Sequence, residues 1–266
     1  MSETWVLTER QKQQKEENRR SARKRKGGKE ETKEELHAAL NEHVVFDRAN
    51  GLVLFSKIGS SKRGGWPSQW QPSPFVDAEG RKFTCAEQYM MYNKAKTFGE
   101  HDLAEQIMNT RYPSEQKRLG RLVQAKHGEA FWPKWDAVCD KIVEEGNMLK
   151  FSQNEALEEE LFATTGLTLV EASSWDQIWG IGLSASDKRS RNPTKWKGTN
   201  RLGNALMKAR DRLLRAAGKG GSGSGSSGGD GVGVGVGVGA GVGVDGGGGK
   251  GAASAVGGSK TSPIIL

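Results

Sequence analysis

The sequence predicts an α+β fold, predominantly helical, in one domain over residues 41–217. Three observations predict it. Apolar residues recur at helical spacing in several stretches between Thr84 and Leu214, whereas only a few short runs alternate or cluster as strands do. Composition also changes sharply at both ends of that span, and seven of the eight tryptophans fall inside it. A domain of that length can enclose a single hydrophobic core.

The elements follow in chain order. HVVF and GLVLF read as two strands, Val44–Phe46 and Leu52–Phe55, around the turn-like DRANG. A Gly-, Pro- and Trp-rich loop follows, Gly64 to Phe75, then a DAEG turn and the short extended RKFT. A first helix is expected after Thr84, with Thr84-x-x-Glu87 as a capping box. A second fits Glu100–Asn109. A third starts after Pro113, with Ser114 as its N-cap. A long fourth has Pro133 in its first turn and Trp135, Val138, Ile142, Val143 and Met148 at helical spacing. A fifth opens at Asn154 as cap. LTLVEAS, Leu167–Ser173, alternates as a strand does, and the last helix carries Leu202, Leu206, Ala209 and Leu213 along one stripe.

The two ends differ from the middle. From Gly218 the chain is mostly Gly, Ser and Val, with too few large apolar side chains to offset the entropy of ordering, so residues 218–266 are expected to be a disordered tail. Its G-x-G matches follow no strand and open no helix, so they carry no nucleotide-binding meaning. Residues 1–40 are expected to form a charged arm, disordered or partly helical. Its cluster Arg19–Lys29 holds seven basic residues and no acid. That cluster has two readings: a solvated charged arm, or a nuclear-localisation or nucleic-acid-touching patch.

The net charge is +8. Residues 1–40 carry 11 Lys+Arg against 8 Asp+Glu, residues 41–217 carry 26 against 22, and the tail carries 3 against 2. The middle is therefore only mildly basic, which suits a small phosphorylated ligand better than a long duplex. Cys85 and Cys139 stand far apart, with no C-x-x-C or His/Cys cluster, so neither a zinc site nor another cofactor is expected. Lone thiols suit a reducing compartment. The N-terminus lacks the apolar region of a signal peptide, and no apolar run has the length of a membrane span. The expectation is a soluble cytoplasmic protein without membrane contact or an obligate protein partner, or a nuclear one if the basic cluster directs it there.

Several residues admit both a structural and a chemical reading. Glu87 is either a helix cap or a carboxylate held at the positive end of a helix, where its ionised form is favoured. Lys94 lies two turns on along the same face. Asp176 caps a turn or serves as an acid. Trp135 and Trp179 are core residues or flat faces for a ring to stack on. Lys94 and Arg121 are surface cations or phosphate ligands. Asn200 is a plain N-cap or part of a helix terminus facing a ligand. Ser68 and Trp70 belong to the loop expected to wall a pocket.

Joint order narrows these readings. SQWQPSPF (Ser68–Phe75), TCAEQYMMYNKA (Thr84–Ala95), LGR (Leu119–Arg121), KWDAV (Lys134–Val138), WDQIWGIG (Trp175–Gly182) and GTNRLGNALMKAR (Gly198–Arg210) occur in an order that resembles the NADAR, or YbiA-like, family. The resemblance covers nearly all of residues 44–214 and neither terminus. It implies a compact YbiA-like α+β fold and a metal-independent N-glycosidase. By that resemblance Glu87 matches the acid of the first helix and Asp176 the acid of the D-x-x-W-G segment, while Lys94, Arg121, Trp135, Trp179, Asn200, Ser68 and Trp70 would bind substrate.

Such residue types suit the chemistry. Breaking an N-glycosidic bond passes through an oxocarbenium-like sugar, which a carboxylate stabilises while it or a second acid deprotonates water. The expected substrate is a phosphorylated ribosylamino-pyrimidine intermediate of riboflavin biosynthesis. The alternatives are removal of ADP-ribose from nucleobases, guanine in DNA above all, or a non-catalytic module that binds ADP-ribose. Two stretches, Phe55–Gly65 and the residues after Trp179, exceed the resembling pattern and add basic residues, among them Lys188, Arg189 and Arg191.

Overall fold

A computed structural model describes residues 5–23, 32–56 and 65–218 of the 266-residue chain. The expected Gly-rich tail beyond Gly218, most of the Arg19–Lys29 cluster and most of the Phe55–Gly65 stretch lie outside the described residues.

Nine α-helices and five short strands are described, so the α+β, mostly helical expectation holds. Strands β1 (Val44–Asp47) and β2 (Leu52–Phe55) form an antiparallel hairpin, with Val44 opposite Phe55 and Asp47 opposite Leu52. Strand β5 (Thr168–Glu171) adds in parallel on the other side of β2. The central strand is buried at all four positions, as a strand covered on both faces must be. Its alternation divides the interior. Val53 and Phe55 face the main helical core, whereas Leu52 and Leu54 meet Val170, Ala172, Ile181 and Leu183 in a smaller one. Strands β3 (Phe75–Val76) and β4 (Lys82–Phe83) make a second, two-stranded sheet after the tryptophan loop.

Helix α3 (Ala86–Thr97) packs against α4 (His101–Asn109), α5 (Pro113–His127) and α7 (Cys139–Ser152); α7 in turn packs on α9 (Arg201–Ala216), which covers β5. The contact of α9 with β5 depends on Gly203, where a Cβ would stand 2.1 Å from the Leu169 carbonyl oxygen.

Four local expectations are corrected. The capping box is displaced by one residue: Gln88, not Glu87, reaches back, accepting from the Thr84 N–H at 2.7 Å and the Thr84 hydroxyl at 3.1 Å. Its amide also donates to the Ile107 carbonyl at 2.9 Å, so Gln88 joins α3 to the end of α4. Helix α5 starts at Pro113 itself, with Tyr112 rather than Ser114 at the cap position. The long fourth helix is two, α6 (Phe131–Asp136) and α7, separated at Ala137–Val138. Asn154 precedes α8 (Glu155–Phe162) without capping it, since its amide donates to the Pro74 and Lys150 carbonyls instead.

Described residues before position 41 also pack on the domain. Helix α1 (Glu9–Arg23) lies on the β3 side, where Asn18 donates to the carbonyls of Pro74 at 2.7 Å and Gln153 at 2.8 Å, and Lys15 pairs with Glu158. Trp5 packs against the main core. Helix α2 (Lys33–Asn41) opens on a capping box between Thr32 and Glu35, and it seats Leu40 in the core. Polar residues dominate both helices, which hides their docked faces from a reading based on apolar periodicity. Among the described residues, no helix is long and apolar enough to cross a membrane.

Candidate active site

The site starts from the tryptophan loop. Trp66 is fully buried, and its indole N–H donates to the Asn41 side chain at 3.1 Å. Beyond it the chain turns, with the Ser68 hydroxyl accepting from the Trp70 N–H at 3.1 Å. The Gln69 carbonyl accepts the Glu87 N–H at 3.0 Å, which satisfies one of the donors that every helix start leaves open. Gln88 holds Thr84 from the next position along the helix. Glu87 sits buried at the positive end of α3, 6% exposed.

Two turns on, Lys94 is 8% exposed. Its ammonium lies 5.0 Å from the centroid of the Trp135 ring and 5.7 Å from that of Phe131. Burial pulls its pKa down from 10.5 to about 8; the charge of Glu87 opposes that shift, and Lys117 and Arg121 add to it. Glu87, Lys94 and Arg121 therefore share one electrostatic neighbourhood, with Arg121 on its exposed side. Trp135 does not fit its expected role as a stacking platform for substrate. Only 2% exposed, it is a core residue that lies beneath Lys94.

A second group forms around the 175–201 segment. The Asp176 carboxylate accepts from the N–H groups of Ile178 at 3.0 Å and Trp179 at 2.7 Å, so it does cap its turn. Trp179 is half-buried, with the Arg201 guanidinium 5.3 Å from its ring centroid. Arg201 is a residue that the sequence reading did not single out. It pairs with Asp140 at 2.7 Å and with Asp136, and it donates to the Cys139 sulfur at 3.0 Å. Its hydrogen bond to Asp140 leads the causes that hold its pKa above the ordinary arginine value. The N-R-L-G run contained it, but nothing in the sequence separates a helix-opening arginine from a surface one.

Cys139 belongs to this second group, its sulfur accepting from Arg201. Burial pushes the Cys139 thiol up to about 11. Asn200 has a different part from the cap or ligand contact expected of it. It stands in the left-handed region at φ 52° and makes no side-chain cap. Its amide donates to the Leu169 carbonyl at 2.9 Å, and its oxygen accepts the Glu171 N–H at 3.0 Å. Both polar ends thus extend the β5 hydrogen-bond pattern and pin the start of α9 to the sheet. Close backbone approach fixes the loop below: a Cβ on Gly198 would stand 2.3 Å from the Gly180 carbonyl oxygen.

Beside Arg201 opens a cleft of about 880 Å³, walled by Trp132, Asp136, Gln177, Ile178 and Thr199 among others. A volume of this order accommodates a nucleotide-sized ligand. Trp175, next to Asp176, is 84% exposed. Among the described residues, no three His, Cys, Asp or Glu side chains converge as metal ligands do.

A small helix-rich α+β domain with a buried acid and a buried ammonium on one helix defines the structural class. Residues 54–214 match the NADAR domain family, and the chain belongs to that family. It is 37% identical over 179 residues to the protein irg-1 of Caenorhabditis elegans, covering 64% of this chain and 84% of that one. It is 43% identical over 149 residues to the N-glycosidase R617 of Acanthamoeba polyphaga mimivirus, covering 54% and 85%. The NMR structure of the E. coli protein YbiA aligns at 25% identity with a TM-score of 0.48, over 66% of this chain and 90% of that one.

Proposed function

We propose that this protein is an N-glycosidase acting on a phosphorylated ribosylamino-pyrimidine intermediate of riboflavin biosynthesis. The observation that carries the reading is the Glu87 carboxylate, buried at a helix N-terminus. The relative named as an N-glycosidase supports the reaction class. The modest charge of the domain favours a small phosphorylated substrate over a nucleic acid duplex.

In this reading the bond between C1′ and the ring-bound nitrogen breaks as positive charge develops on the ribosyl group. Glu87 stabilises that charge and takes a proton from the attacking water, whose oxygen bonds to C1′. The departing amine gains a proton, and ribose 5-phosphate is released. Lys94 and Arg121 neutralise the phosphate. Asp176 organises the 176–179 turn and bears on the ribose, and Trp179 presents its ring beside the cleft.

Removal of ADP-ribose from a nucleobase is the second reading. One observation favours it: Lys188, Lys195 and Lys197 are exposed on the segment that leads to Thr199 at the cleft. The two readings separate when the full-length protein is offered both substrates side by side. Release of ribose 5-phosphate alone is the expected result. Release of ADP-ribose alone would replace the first reading with the second, and release of neither, with ADP-ribose still bound, would leave a binding module.

The Lys94 environment adds a pH prediction. Its ammonium is lost above about pH 8, so kcat/KM is expected to fall on that alkaline limb. Stability moves the other way. The unfolded chain holds the lysine proton up to about pH 10.5, so burying the charge costs stability below pH 8 and the cost is relieved between those values. A pH–rate profile with a matching series of melting curves checks both. Lys94→Arg should shift the alkaline limb out of the measured range.

A further inference from the structure

Lys150, on α7, is completely buried, and among the described residues its amine group pairs with no carboxylate. It donates to two backbone carbonyls, of Trp66 at 2.8 Å and Ser68 at 2.9 Å, and stands 4.7 Å from the Phe151 ring centroid. Burial pulls its pKa down from 10.5 to about 7. A buried ammonium without a counter-charge is costly, and an apolar side chain of the same length would serve packing better. What the ammonium does supply is several donors and no acceptor, so it can hold two carbonyls at once.

Those carbonyls belong to the loop that carries Ser68, Gln69 and Trp70. One turn before Lys150, Asn147 is also fully buried; its oxygen accepts from the Gln69 amide at 3.1 Å, while its own amide donates to the Val143 carbonyl at 2.8 Å. Side chains three apart on a helix share a face, so α7 grips Trp66, Ser68 and Gln69 from one side. On the other side of the loop, the Gln69 carbonyl receives the Glu87 N–H. The contacts run without a gap from α7 through the loop to the backbone of the candidate catalytic residue.

We infer that Lys150, with Asn147, is a positioning residue for the hydrolytic reaction: the pair fixes the 66–69 loop, and the loop fixes the backbone that carries the Glu87 carboxylate. The inference rests on Glu87 being the reacting carboxylate. Neither residue reaches the surface, and neither is assigned contact with substrate. Their effect should therefore appear in turnover rather than in substrate binding, because a carboxylate displaced by a fraction of an ångström still leaves the phosphate contacts in place.

The test is Lys150→Met in the full-length protein, assayed for ribose 5-phosphate release, for melting temperature and for hydrogen exchange at the Glu87 amide. Methionine keeps the approximate volume and removes the buried charge but leaves the Trp66 carbonyl without its donor, so the fold is expected to survive at a melting temperature lower by several degrees. The expected result is a kcat at least about tenfold lower, a KM within about threefold, and Glu87 amide exchange faster by about tenfold or more. A parental kcat with parental Glu87 exchange would overturn the inference, as would a change in one without the other. A merely structural lysine would lower the melting temperature and leave kcat per folded molecule intact. Should Lys150→Met fail to fold, Asn147→Ala, which removes only the grip on Gln69, must show the same kcat-specific loss or the inference falls. Glu87→Gln is run in parallel: if it turns over at the parental rate, the glycosidase mechanism fails, and the Glu87 exchange in Lys150→Met still decides whether Lys150 sets that backbone.

Discussion

Glu87→Gln is expected to lower kcat by about 10³-fold with little change in KM, since it removes a charge that matters most as the sugar becomes cationic. The substitution keeps the Thr84 and Gln69 bonds of the helix start in place. Gln88 makes the bonds to Thr84, and the Glu87 backbone N–H keeps its partner at the Gln69 carbonyl. The variant should therefore melt close to the parent protein. A second signature follows from Lys94, whose pKa of about 8 would be lower still without the opposing charge of Glu87. In the variant, residual activity should lose its alkaline limb at lower pH than the parent does. Steady-state kinetics across pH, with a melting curve for each sample, measures all three. Parental kcat would remove Glu87 from the mechanism.

Gly203→Ala is expected to be the most damaging single-methyl change in the domain, costing at least about 3 kcal/mol and reducing soluble yield. The added Cβ would stand 2.1 Å from the Leu169 carbonyl oxygen and about as close to the Asn200 amide, at 2.5 and 2.6 Å from its nitrogen and oxygen. None of these neighbours is the loose end of a long side chain. Leu169 O is held by the Asn200 amide, and Asn200 is held in turn by the Glu171 N–H. Helix α9 would have to withdraw from β5, and Arg201, two residues earlier, would move with it. Chemical denaturation of Gly203→Ala against the parent measures the loss. A midpoint within error of the parent would show that this contact relaxes freely.

The sequence was most informative where side-chain periodicity and burial agree. The continuous apolar run of β2 and the single stripe of α9 could be read in advance, because each follows from which sides of the element face a core, whereas β5 reads as alternating in sequence but is buried on both sides. Helix ends were less legible. Thr84-x-x-Glu87 has the spacing of a capping box, but Cys85 takes the cap position and the register moves by one residue. That one-residue difference decides which side chain bonds Thr84, and spacing alone does not fix it. Trp135 and Asn200 show the converse limit. Both sit in distinctive motifs, and both turn out to be engaged with the protein itself, one beneath Lys94 and one along β5. Lys150 and Arg201 escaped notice because a lysine in an amphipathic helix and an arginine at a helix start look solvated until the tertiary structure surrounds them.

Helix α1 gives the domain a property that its core does not. It is joined to α2 through residues 24–31 and held largely by polar contacts, of which the Lys15–Glu158 pair is open to screening by salt. In thermodynamic terms α1 is a tethered ligand, docked at an effective concentration set by its own chain rather than by the amount of protein present. One peptide cleavage between residues 24 and 31 would convert that intramolecular equilibrium into a bimolecular one. The same Asn18 contacts to Pro74 and Gln153 would then compete with dilution, and the surface beside β3 would become available to any other segment able to present an amide at the same two carbonyls.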